Sequence, residues 1–257
     1  MASGKTASRI APRIASGIAP RIAKTQFEGA PAWIKRPEEQ RSNIFSFLHR
    51  ILSLFLPAAL QPTGARGGMS SLRDEAARLK TFKAAAVRVP DVLEITDDHI
   101  VLSDCGPQLR GVLQDTTDRQ DRQALLEMAV RNLADLHAQG LTHGRPHLKD
   151  MTLLGGQIYL LDLEEDPLAV MQLGYAQARD IWLVLASSTE YCESPLQDLT
   201  ALLSVYQRHA KTDISDEMRA LGRDLRVFRR IISFVRAQNL SRDVSGAYWA
   251  TKVFEAL

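Results

Sequence analysis

The chain has 257 residues and a mass of 28.6 kDa, enough for one two-lobed domain or two small ones. Its 45% hydrophobic and 24% charged residues exclude bulk disorder, collagen and a disulfide-stapled miniprotein. Lys+Arg 32 against Asp+Glu 30 leaves a net charge of +2, so no global field argues for nucleic acid. The two cysteines, Cys105 and Cys192, form neither a zinc motif nor a disulfide framework, and a reducing compartment is the simpler expectation.

Residues 7–23 hold a short repeat, ASRIAPRIA then ASGIAPRIA, in which Ile, Pro and Ile alternate. Period two suggests extended chain, the prolines confine it to an edge, and Gly17 would turn between the copies. The segment has no acidic residue before Glu28 and lacks the continuous apolar stretch of a secretory signal. It is rich in Arg, Ser and Ala, which also suits a transit peptide. It lacks aromatic residues for stacking on bases. Phe27 to Arg36 reads as a turn followed by a strand ending at Lys35. The apolar stretch Ile44 to Leu60 is interrupted by His49 and Arg50 and broken at Pro57, so no transmembrane helix is expected. It reads as a core helix or as one lying in a membrane interface.

Ser70 to Lys83 reads as a helix, with Ser70 or Ser71 as cap and Asp74 and Glu75 in its first turns. Leu72, Ala76, Leu79 and Phe82 supply its apolar spacing. Val87 to Leu93 and His99 to Leu102 read as strands around an acidic turn. Asp104 to Pro107 ends that stretch and divides the chain into residues 1–105 and 106–257. A helix then runs from Asp118 to Gln139, closed by Gly140. After a polar loop and a turn at Gly155-Gly156 comes the strand Gln157 to Leu163. Helices are expected near 174–187, 195–209, 215–238 and 243–256. Strands first and helices after make an α+β layout with two segregated lobes.

The segment L136-H-A-Q-G-L-T-H143-G144-R145-P-H147-L-K-D150-M, followed by I158-Y-L-L-D162-L-E164, carries the chemistry. A helix ends at Gly, a His-Gly loop follows, and an apolar strand delivers an Asp. This resembles the catalytic segment of the protein-kinase-like superfamily, and most nearly the bacterial lipopolysaccharide (Kdo/heptose) kinase family. The resemblance extends to W33-I-K35-R-P, to L72-R-D-E75-A, to V101-L-S103-D-C105-G and to A176-Q-A-R-D180-I-W.

The resemblance implies a bilobal fold, with a small strand-rich N-lobe, an apolar helical insertion at about 43–60, and a helical C-lobe. It implies that ATP binds between lobes, its adenine edge near Ser103 and Cys105. Lys35, paired with Glu75, would hold phosphate oxygens, and Asp150 and Asp162 would hold Mg²⁺. Asp180 would brace the loop, a structural role under either reading. The acceptor would be a hydroxyl of a lipopolysaccharide sugar or of a protein, at a cytoplasmic site or the inner face of a membrane, with no nucleic-acid partner. Phosphoryl transfer works mainly by positioning and charge neutralisation, and these residue types suit it.

Other readings of the same residues stay open. Lys35 in KRPEEQR also suits a solvated charge, and Glu75 a helix-dipole acid. His143 suits loop bracing, whereas His147 looks exposed and able to titrate near neutral pH. The chain also departs from the family. Arg145 stands where active kinases carry the Asp that accepts the hydroxyl proton, and a guanidinium cannot be a base. No Gly-x-Gly-x-x-Gly precedes Lys35, and Ala15-Ser16-Gly17 is its only substitute. Lys35 and Glu75 are 40 positions apart, longer than in a typical protein kinase. Two expectations follow: an ATP-dependent phosphotransferase, or a pseudokinase that binds a partner.

Overall fold

In the computed structural model, residues 20–37, 67–235 and 242–257 are described. The first copy of the repeat, the expected Ala15-Ser16-Gly17 turn and the expected apolar insertion at 43–60, with the membrane contact expected of it, lie outside them.

Strand β1 (Ile22–Phe27) turns at Glu28-Gly29 into β2 (Ala30–Lys35). Both turn residues have positive φ, 50° and 83°, which suits a two-residue hairpin between Phe27 and Ala30. β2 then pairs antiparallel with β4 (Ile100–Ser103), and β4 with β3 (Val92–Ile95), giving the order β1-β2-β4-β3. Alternation along β2 buries Ala32 and Ile34 with Val101 in a small apolar cluster of the sheet's own, backed by Phe27 and Leu93.

Helix α1 (Gly68–Ala84) buries Leu72, Ala76, Leu79 and Phe82, as their spacing requires. It starts earlier than expected. Gly67 is the cap residue, Ser70 Oγ donates back to the Gly67 carbonyl, and the first turn holds no acid. The helix-dipole reading of Glu75 therefore gives way, because a group 1% exposed in the helix's second turn needs a partner of its own. The strand expected over Val87 to Leu93 begins only at Val92 and runs on to Ile95. Pro90 has no N–H to give a ladder, and Val87 and Val89 join the main core from outside the strand.

A short helix α2 (Leu109–Asp115), which the sequence pattern did not suggest, links the sheet to α3 (Arg119–His137). Asp118 caps α3 by accepting from the N–H groups of Gln120 and Asp121. The hairpin β5 (Met151–Leu154) and β6 (Gln157–Leu160) follows. The expected strand to Leu163 ends at Leu160, because Asp162 takes a left-handed φ of 60°. Helices α4 (Leu173–Ser188), α5 (Pro195–His209), α6 (Ser215–Val235) and α7 (Arg242–Glu255) complete the chain.

α7 packs on α4 and α6, and α3 packs on α5. Leu133, Ile181, Leu202 and Leu221 are wholly buried among them. α4 and α7 touch at Gly246, where a Cβ would sit 2.3 Å from the Ala186 carbonyl oxygen. The buried indole of Trp182 donates to Thr251 Oγ1 across the same interface at 3.1 Å. The architecture is α+β, with a small antiparallel sheet region and seven α-helices among the described residues. No described helix is long and apolar enough to cross a membrane.

Candidate functional site

Lys35 is the last residue of β2 and is only 6% exposed. Its ammonium donates at 2.8 Å to both carboxylate oxygens of Glu75 and at 2.8 Å to Asp162 Oδ1, and Glu164 Oε1 lies 2.7 Å away. The sheet supplies the cation, α1 one anion, and the segment after β6 the other two. Burial alone would lower the ammonium's pKa, but Glu75, Asp162 and Glu164 outweigh it and hold Lys35 protonated. Burial pushes the Glu75 carboxyl up, opposed by Lys35. The solvated-charge reading of Lys35 is thereby excluded.

Asp150 and Asp162 flank the β5–β6 hairpin. Asp150 closes a 3₁₀ turn, and its carbonyl accepts from the Leu161 N–H at 2.8 Å, which ties the two ends together. Asp150 is 7% exposed, and its Oδ2 has no hydrogen-bond partner among the described residues. Burial, then the neighbouring Asp162 charge, pushes its carboxyl up to about 7. Burial acts upward on Asp162 too, but Lys35, with help from Arg145, outweighs it and the carboxyl lies below its ordinary range.

The loop between α3 and the hairpin is held from below. Asp180 on α4, wholly buried, accepts from the His143 N–H at 2.6 Å and the Gly144 N–H at 3.0 Å. His137 Nε2 lies 3.4 Å from Asp180, and its Nδ1 is 2.7 Å from the Tyr206 hydroxyl. His143 is fully buried, burial lowers its pKa so that it stays neutral, and neither ring nitrogen has a hydrogen-bond partner among the described residues. His147 differs from its sequence reading. It is half-buried, and burial, then Lys149 and Arg145, pulls it down to about 4. It does not titrate near neutral pH.

Arg145 projects from this loop, its side chain 46% exposed. Its Nη2 is 3.8 Å from Asp162 Oδ2, and its Nε is 3.3 Å from Glu165 Oε1. Arg179 meets the other Glu165 oxygen at 3.3 Å and donates to the Gly144 carbonyl at 2.8 Å. Gly144 has φ 104°, and a Cβ there would lie 2.5 Å from the Glu165 carbonyl oxygen. Only glycine allows the loop this approach.

Ser103 and Cys105 lie at the end of β4, away from the ionic cluster. Ser103 Oγ accepts from the Asp91 N–H at 2.9 Å, and burial pushes the Cys105 thiol up to about 11. Asp104 between them accepts from Trp33 Nε1 at 2.9 Å and the Gly106 N–H at 2.7 Å, which fixes the turn out of the sheet.

Oxygens of Glu75, Asp162 and Glu164 lie within 4.8 Å of one another, but Lys35 Nζ contacts all three. The remaining Asp162 oxygen faces Arg145. Mg²⁺ needs near-octahedral oxygen at about 2.0–2.1 Å. Protein cations already stand against these oxygens, so as arranged Glu75, Asp162 and Glu164 do not fit a resident Mg²⁺, whereas Asp150, the other expected ligand, keeps an unpartnered Oδ2.

Four residues of this cluster had no role assigned from the sequence, although Glu164 closes the motif that begins at Asp162. Arg78 on α1 donates to the backbone carbonyls of Leu163 and Thr142 at 2.8 Å and also to that of Glu165. Arg21 pairs with Glu164, and Glu165 links Arg145 to Arg179. The acidic run Glu164-Glu165-Asp166 after Asp162 was the available signal for the last two. A lone helix Arg such as Arg78 gives none.

No family model matches the chain. An uncharacterized protein of Haemophilus influenzae is 29% identical over 145 residues, which is 56% of this chain and 53% of that protein. The chain thus spans about half the length of the curated relative it matches.

Proposed function

We propose that this chain has a bilobal, protein-kinase-like fold, binds ATP between its sheet and its helical body, and transfers the γ-phosphoryl group to a hydroxyl. The supporting observation is Lys35, buried and bonded to Glu75 and Asp162, which joins sheet, helix and hairpin at one point. A carboxylate-fixed ammonium is a point charge suited to phosphate oxygens. Glu75, with its side chain 1% exposed, is the permanent anchor, whereas Asp162 and Glu164, at 27% and 16%, are the partners a phosphate replaces. The adenine edge would meet backbone near Ser103 to Gly106.

Arg145 cannot take a proton, so the base falls to Asp150. Its Oδ2 is unpartnered, and its carboxyl sits near neutrality, where a general base works best. A cavity of about 270 Å³, lined by Arg110, His147, Lys149 and Arg242 among others, adjoins the same loop and offers the acceptor a way in. The resemblance in sequence implies a lipopolysaccharide sugar or a protein as that acceptor.

A pseudokinase is the second reading. It is favoured by Arg145, whose guanidinium pairs with Asp162 and Glu165 at the loop position of the usual base. Calorimetric titration with ATP, beside Lys35→Met, tests nucleotide binding. Release of ADP with candidate acceptors, beside Asp150→Asn, separates the two readings. No ATP binding at millimolar concentration would remove the transferase reading and leave a partner-binding pseudokinase.

A further inference from the structure

Asp162 stands between two protein cations. Lys35 donates to Oδ1 at 2.8 Å, and Arg145 Nη2 lies 3.8 Å from Oδ2. Arg145 is not a loose surface side chain. Its Nε meets Glu165 at 3.3 Å, and Glu165 is held in turn by Arg179, whose side chain is 7% exposed. Arg179 is anchored on the Gly144 carbonyl, next to Arg145 in the chain. The order Asp162, Arg145, Glu165, Arg179 is an alternating row of charges. It fixes the guanidinium over the carboxylate that would otherwise face a divalent ion.

A guanidinium carries five N–H donors in a plane. Two of its nitrogens are committed here, to Asp162 and Glu165, and the side chain remains 46% exposed. It therefore keeps donors for an incoming anion, in a geometry that matches phosphate oxygens. Once a phosphate has taken Lys35 from Asp162, a divalent cation on Asp162 would still meet the Arg145 guanidinium and be repelled by it.

We propose that the cleft takes its nucleotide as the metal-free polyphosphate anion, with Arg145 supplying the charge that a divalent cation would supply elsewhere. The site then discriminates against the metal chelate of ATP. This inference rests on the nucleotide-binding reading above and adds the ionic form of the ligand.

The test is calorimetric titration of the full chain with ATP in excess EDTA and again with Mg²⁺ in excess over ATP. The wild type should bind at least as tightly in EDTA as with Mg²⁺. Arg145→Gln should weaken binding in EDTA by roughly ten-fold or more, the scale of one charge-assisted contact, and should relieve the disadvantage of the chelate. Thermal unfolding of the variant checks that it is folded, and Arg145→Lys, which keeps charge but not the fork, should fall between the two. Binding of ATP by the wild type only when Mg²⁺ is present would overturn the inference and leave the nucleotide reading standing. An unchanged affinity of folded Arg145→Gln in EDTA would do the same. No binding in either buffer would remove both.

Discussion

Lys35 and Asp162 lie 127 positions apart in the chain and 2.8 Å apart in space. The contact joins the end of a sheet strand to the residue where the β6 strand is broken by a left-handed backbone. Glu75 completes it from α1. Three elements thus converge on one ammonium, and the stability of the cluster depends on all of them.

Lys35→Met should destabilise the protein by roughly 3–5 kcal/mol, because it leaves the buried Glu75 without its cation. Lys35→Met combined with Glu75→Gln should cost less than the sum of the two single changes. Urea unfolding of the four members of the cycle measures the coupling. Additive effects would mean that the two groups do not interact.

Arg78 ties α1 to both the loop and the segment after Asp162 through backbone carbonyls. Arg78→Ala should cost roughly 2–4 kcal/mol, since several buried carbonyls lose a charged donor. Arg78→Lys should recover little of it, because one ammonium does not reproduce a planar fork. Denaturant midpoints of the two variants decide this. Full recovery in Arg78→Lys would show that only the charge matters.

Asp180→Asn should cost about 2–3 kcal/mol, because the neutral amide loses the charge-assisted contacts with the His143 and Gly144 N–H groups. Amide hydrogen exchange at 143 and 144 should speed up before that of α3. Unchanged protection there would show that the loop is held by other contacts.

Asp150 gives a pH prediction. Its folded carboxyl is pushed up to about 7 from an ordinary 3.8, so between those values the folded state holds a proton that the unfolded state releases. Its contribution is fully present below the ordinary value and declines as pH rises toward 7. Asp150→Asn should therefore be more stable than the wild type at pH 8, by an order of 1–3 kcal/mol, with the gain shrinking toward pH 4. Thermal unfolding across that range reads the crossing. A pH-independent difference would mean that Asp150 titrates normally.

Much of the architecture was legible because it is periodic. The 3.6-residue spacing of Leu72, Ala76, Leu79 and Phe82 marks α1, and an Asp before Arg119 marks the start of α3. The ends of elements were harder to read. Pro90 delayed the start of β3 and a left-handed Asp162 ended β6, each through local backbone chemistry that hydrophobic pattern does not register. Lys35, Glu75, Asp162 and Asp150 stood out by motif order, although each residue alone also had a solvated or dipole reading.

The sequence by itself determined which side chains are available and which short elements carry them, since propensity, capping and alternation act over a few residues. Only the tertiary structure decided their charge partners. That Lys35 meets Glu164 as well as Glu75, that Arg145 comes 3.8 Å from Asp162, and that Arg78 binds the backbone of two distant segments all depend on distances between elements far apart in the chain. Coulomb and hydrogen-bond energies fall away over a few ångströms, so the packing of α1 and the hairpin against the sheet had to be known before the chemistry of the site could be read.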